Sequence, residues 1–219
     1  MTAFASPVVV WHGDADAAAP LVVLLHGRGS SEADIIGLAD QLPPGAAYAA
    51  VRAPISEGGG YAWFANRGIG RPTPESLAET MAWFGDWLDR VAPPGRPVVP
   101  VGFSGGGAFA GGLVLAAPHR YAGAAILYAT LPFDAGVPTT PGRLEGLPVF
   151  VAHGDADRVI PADLLGRTWG YLNGDAGSRT TAVRDPGGHG LTAGVVVALE
   201  HWLGGLLAPE DFATGDRSR

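Results

Sequence analysis

The chain has no cysteine and no lysine among its 219 residues. Without cysteine there is no thiol nucleophile, no disulfide and no thiolate site for zinc or an iron–sulfur cluster. Without lysine there is no Schiff-base chemistry, no attachment point for pyridoxal phosphate and no P-loop lysine. Charge is scarce too: charged residues make up 16%, against about 25% in an average soluble domain. All 14 basic residues are arginine, scattered along the chain, and 21 acidic residues leave a net charge of −7. Such a balance gives no electrostatic footprint for nucleic acid or for anionic membranes. No run reaches the roughly 18 uninterrupted apolar residues of a membrane span. The first residues, MTAFASPVVVWHGDAD, lack the basic and long apolar regions of a signal peptide, so a cytoplasmic location is expected.

Apolar residues (47%), glycine (34) and proline (19) are plentiful. A high glycine and proline load can mark disorder, but here apolar runs recur at regular intervals, as in a packed chain. Runs at 8–11, 21–26, 46–51, 98–103, 122–128, 148–153 and 179–184 read as strands. The second is almost wholly aliphatic, as a strand buried on both faces should be. Helices are expected over 31–42, 74–91, 105–117, 162–172 and 191–207. The second of these starts at Pro74 and places Leu77, Met81, Phe84, Trp87 and Leu88 on one face. The glycine-rich stretch 56–72 reads as a loop. Strands alternating with helices imply an α/β fold, a mostly parallel sheet covered on both faces. The length suits one domain, 1–207, followed by a polar tail, 208–219, expected to fray.

Residues 98–110 read VVPVGFSGGGAFA: an apolar run, then Gly102, Ser104 and Gly106 in a G-x-S-x-G pattern, then small residues that open a helix. In a strand-to-helix turn that tight the serine backbone is strained and its hydroxyl stands clear of the sheet. Glycine is needed on either side because a Cβ would collide with the neighbouring strand and helix. Serine alone is a weak nucleophile; it needs a base, and the base needs a carboxylate to hold its tautomer. Downstream lie Asp155 and Asp157, which compete for the acid role, and His189 in the flexible sequence PGGHG. His189 competes with His12, His26, His119, His153 and His201; of these His26, ending a strand in HGRG, reads as orienting or structural. A tetrahedral intermediate also needs two amide donors, expected at Gly105 and in the 26–29 turn at Arg28.

HGDAD occurs twice, at 12–16 and 153–157. The first copy precedes a strand and reads as a polar hairpin turn. The second follows a buried strand, on the side of the sheet where strand ends collect ligands.

Taken together, LLHGRGSSEADI, GFSGGG, HGDADRVIP and GGHG resemble the phospholipase/carboxylesterase group of small α/β-hydrolases, which includes acyl-protein thioesterases. The resemblance covers residues 21 to about 203. It implies an α/β-hydrolase fold, Ser104, Asp157 and His189 as a catalytic triad, and Arg28 and Gly105 as oxyanion donors; with no long insertion after the strand 122–128, little or no lid is expected. It also places 63–64 and 130–132 near an acyl pocket, with Trp63, Phe64, Leu131 and Ile160 as substrate-binding residues. Where thioesterase members carry glutamine after the nucleophile, this chain has Gly105.

The expected activity is hydrolysis of short- to medium-chain carboxylic esters, small-molecule substrates, through an acyl-enzyme. The alternatives are a lysophospholipase or acyl thioesterase with the same triad, a non-catalytic scaffold, and a dinucleotide binder. The last rests only on the G-x-G-x-x-A match at 105–110, which lies mid-chain without a suitably placed acidic partner. No His-x-x-x-His or carboxylate cluster occurs, so neither metal nor cofactor is expected. The oligomeric expectation is a monomer or homodimer.

Overall fold

A computed structural model describes residues 4–13 and 18–208. The strands, in chain order, are β1 (Val9–Gly13), β2 (Leu21–Leu25), β3 (Ala47–Val51), β4 (Ile55–Glu57), β5 (Gly60–Ala62), β6 (Asn66–Gly68), β7 (Arg71–Pro72), β8 (Val98–Phe103), β9 (Ala124–Leu127), β10 (Pro148–Gly154) and β11 (Arg179–Asp185). The helices are α1 (Glu32–Ile35), α2 (Pro74–Val91), α3 (Gly105–Ala116), α4 (Ala162–Gly170) and α5 (Ala193–Leu207). Seven strands make one sheet in the order β1-β3-β2-β8-β9-β10-β11. Only β1 runs antiparallel, paired with β3 at one edge. The other neighbours are all parallel. This is a single α/β domain built on a mostly parallel sheet.

Side-chain alternation explains the two cores. Leu21, Val23 and Leu25 of β2 enter one apolar cluster with side chains of α2, α3 and α4. Val22 and Leu24 point the other way, into a cluster shared with α5 and the residues around α1. Helix α3 is apolar all round and buried from Gly106 to Leu115, as a helix packed between the sheet and a second helix should be.

Several expectations change in detail. The 31–42 helix is four residues of α-helix followed by a 3-10 turn, Ile36–Gln41. The tighter turn buries Leu38 and Ala39 while Gly37 stays exposed. The 162–172 helix gives way at Tyr171 to a π turn, Tyr171–Asp175. The 56–72 loop is two β-hairpins, β4–β5 and β6–β7. Gly58 and Gly59, both at positive φ, form the two-residue turn of the first. The connection after β1 is not a hairpin, because β3 lies between β1 and β2. Residues 14–16 of the first HGDAD copy and 209–219 of the expected tail lie outside the described residues.

From β2 the chain turns to β3 on one side; from β8 onward it builds toward β11 on the other. The switch point is therefore between β2 and β8, where the carboxyl ends of an open α/β sheet leave a crevice.

Candidate active site

Ser104 follows β8 with φ 53° and ψ −116°, in a region L-residues rarely occupy. The strain is held in place by two close approaches. A Cβ on Gly102 would lie 2.1 Å from the Gly106 carbonyl oxygen, and one on Gly106 would lie 2.1 Å from the Leu25 carbonyl oxygen. Backbone cannot yield by that much, so both positions must be glycine. The Ser104 amide donates to the Leu127 carbonyl at 2.9 Å, which ties the turn to β9.

The Ser104 hydroxyl lies 2.8 Å from His189 Nε2, and His189 Nδ1 lies 2.8 Å from Asp157 Oδ2. The other Asp157 oxygen accepts the Val159 and Ile160 amides at 2.8 and 3.1 Å. The carboxylate is fully buried. Burial alone would raise its pKa; the hydrogen bond to His189 and the two amides outweigh that and hold the carboxyl below its ordinary value. It stays ionised and keeps the Nδ1 proton of the imidazole in place, leaving Nε2 free to accept from the serine. Asp155, the competing carboxylate, turns outward and pairs with Arg184, Nε to Oδ1 at 2.7 Å.

The remaining histidines lie elsewhere. His12 is on the edge strand β1, His119 precedes β9 at the far end of the sheet, and His201 is exposed on α5. His153 is buried at the end of β10 against Trp169. His26 is buried too: its Nδ1 contacts the Gly27 carbonyl at 2.7 Å and its Nε2 accepts the Ala53 amide at 3.1 Å. That ring shapes the turn after β2, as an orienting residue would.

In that turn the Arg28 amide nitrogen comes close to Gly105: a Cβ on Gly105 would lie 3.2 Å from it. Gly105 opens α3, where an amide has no acceptor within the helix. Arg28, Ser104 and Gly105 all border the same cavity. The Arg28 side chain pins the turn from outside, with Nε donating to Glu57 at 2.6 Å and Nη1 to the Phe64 carbonyl at 3.2 Å. Gly29 and Tyr61 add backbone bonds between the turn and β5. The first hairpin is therefore the outer brace of this loop.

These groups border a cavity of about 420 Å³. Phe64 and Ile160, both expected at an acyl pocket, line it with Ile35, Phe103, Ala108 and Val159. Trp63 and Leu131 do not, which corrects their expected placement. Trp63 is buried with its ring stacked on Phe109 at 4.6 Å and its indole N–H bonded to the His26 carbonyl at 2.9 Å. Leu131 is fully buried and packs on Gly111 of α3. Thr130 faces the cavity in its stead. The sequence reading missed Asp34 and the hairpin residues Asn66 and Ile69, which also line it. Among the described residues, no three His, Asp or Glu side chains converge in the manner of a metal site.

The phospholipase/carboxylesterase family model matches residues 7–189. The chain belongs to the phospholipase/carboxylesterase family. Like other members it is a hydrolase by family. It is 27% identical to MhqD of Bacillus subtilis over 187 residues, 83% of this chain and 91% of that one. The crystal structure of the Bacillus cereus carboxylesterase superposes with a TM-score of 0.81 at 25% identity, covering 92% of this chain and 95% of that one. A carboxylesterase from Mesorhizobium loti gives 0.75 at 25% identity over 86% of this chain and 91% of its own. Among the described residues no helix is long and apolar enough to cross a membrane.

Proposed function

We propose that this family member is a serine carboxylesterase that hydrolyses short- to medium-chain carboxylic esters through an acyl-enzyme on Ser104. The reading is carried by the unbroken row Asp157–His189–Ser104, whose hydroxyl end opens on a mainly apolar cavity. His189 Nε2 takes the Ser104 proton as Oγ attacks the ester carbonyl carbon. The carbonyl oxygen becomes an oxyanion that accepts from the Arg28 and Gly105 amides. As the C–O bond breaks, His189 returns the proton to the leaving alcohol. Water then repeats the sequence and releases the acid.

Two features favour modest, uncharged esters. The cavity is at the small end of the roughly 300–1,000 Å³ of ligand sites. Its wall carries the Asp34 carboxylate, held ionised by hydrogen bonds from Ser30 and Ser31, while the only arginine there is paired with Glu57. An anionic substrate group would find repulsion and no open cation.

The test is hydrolysis of p-nitrophenyl esters from acetate to palmitate by the wild type and by Ser104→Ala. Turnover peaking at short chains, and reduced by about 10⁴-fold or more in the variant, is expected. A palmitate optimum would favour the lysophospholipase or thioesterase alternative. No turnover by folded wild type would sink the general-esterase reading.

A further inference from the structure

Tyr128 is fully buried yet has φ 49°, and no glycine relieves the left-handed backbone there. It follows β9 directly, beside Ser104, which follows β8. Two adjacent strand ends thus both carry non-glycine residues at positive φ, and backbone strain of this kind persists only where the surroundings over-determine it. Packing alone does not account for Tyr128, because its phenol donates a hydrogen bond to Asp185 Oδ2. Burial first, and then the Asp185 carboxylate, push the phenol up to about 12, so it stays a donor across the working pH range.

Asp185 ends β11, four residues before His189. Its Oδ1 accepts the Gly187 amide at 2.7 Å, and its backbone carbonyl accepts the Asp155 amide at 2.7 Å. The Gly187 carbonyl in turn accepts the Ala156 amide at 2.9 Å. The loop carrying Asp157 and the loop carrying His189 are therefore laced together, and Asp185 is the knot. The imidazole itself is held between Phe103, at 5.3 Å, and the edge-on ring of Tyr128, at 6.4 Å and 85°.

An aspartate bonding an amide two residues on is ordinary turn chemistry. What that reading leaves unexplained is the second carboxylate oxygen, which reaches across to a buried phenol on a different strand. We propose that Tyr128 and Asp185 are positioning residues for His189: the phenol–carboxylate bond fixes the PGGHG loop so that the imidazole spans Asp157 and Ser104 at once. This inference rests on the proposed esterase mechanism, in which a small displacement of the base costs rate steeply.

The experiment compares Tyr128→Phe, Asp185→Ala, Asp185→Asn and the Tyr128→Phe/Asp185→Ala double variant with wild type and Ser104→Ala. Tyr128→Phe keeps the ring and removes only the phenol, and should lower kcat about tenfold with KM within about twofold. Asp185→Asn should recover part of what Asp185→Ala loses, since it can still accept from Gly187. The double variant should be no slower than Asp185→Ala, because both act through one bond. Proton NMR adds a readout that general destabilisation does not move. The downfield Nδ1 proton of the His189–Asp157 pair should broaden or vanish in Tyr128→Phe at temperatures well below its thermal midpoint. A folded Tyr128→Phe with full kcat and a sharp Nδ1 proton overturns the proposal, as does a loss confined to KM. If the wild type hydrolyses no ester, the esterase reading fails, yet the NMR arm still decides whether the brace holds the imidazole.

Discussion

The chain contains HGDAD twice, and the two copies have different fates. His12 and Gly13 of the first lie on β1, the antiparallel edge strand, and His12 is exposed and 3.8 Å from Asp40. His153 and Gly154 of the second end β10, inside the parallel part of the sheet with neighbours on both sides. There the histidine is buried on Trp169, and a Cβ on the glycine would lie 2.2 Å from the Gly188 carbonyl oxygen. His12 and Gly13 are solvated where the corresponding His153 and Gly154 are packed into the candidate site. What distinguishes them is the strand they terminate: only at the carboxyl end of an interior parallel strand do loops from neighbouring strands converge.

The sharpest way to break the comparison is Asp157→Asn. An asparagine keeps the volume but favours the wrong imidazole tautomer, so kcat on a short p-nitrophenyl ester should fall by about 10⁴-fold. The second copy should also carry a pH signature through His153. Burial, reinforced by the charge of Arg184, lowers its pKa from 6.5 to about 4. Below pH 6.5 the unfolded chain binds a proton there that the folded chain refuses until near pH 4. Stability should therefore fall with pH across that window, by roughly 3 kcal/mol from this group. Urea titrations at pH 7, 5.5 and 4.5 should show a smaller fall in His153→Phe than in wild type; equal falls would remove the contrast. At the other extreme, His12→Gln should change turnover by less than twofold and stability by less than about 0.5 kcal/mol. A larger effect would show that His12 is not merely solvated.

The sequence was informative where covalent pattern dictates geometry. Gly102 and Gly106 are demanded by backbone contacts, and the order Ser104, Asp157, His189 anticipated which side chains would meet. It was less so where neighbours in sequence face opposite ways. Trp63 and Phe64 are adjacent and both aromatic, yet one stacks on Phe109 and the other borders the cavity, and only the path of the chain after β5 decides which. Leu131 and Thr130 divide in the same way. The Gly58-Gly59 turn signal was present in the sequence but hidden within a longer glycine-rich run. Nothing in the residue types marks Tyr128 for a left-handed backbone; that follows from the packing of β9 against β8 and β10.

The strand that leads to His189 is one of the two edges of the sheet. β11 is at the edge, with no residue of its seven buried, and edge strands with exposed side chains are among the first elements to open. Ser104, by contrast, follows β8, whose first five residues are buried in the middle of the sheet. Opening of the β11 edge would therefore withdraw His189 from Ser104 while the centre of the sheet stays intact. Heat or denaturant should silence turnover before the bulk of the β-structure melts, so a midpoint from activity should lie below one from circular dichroism.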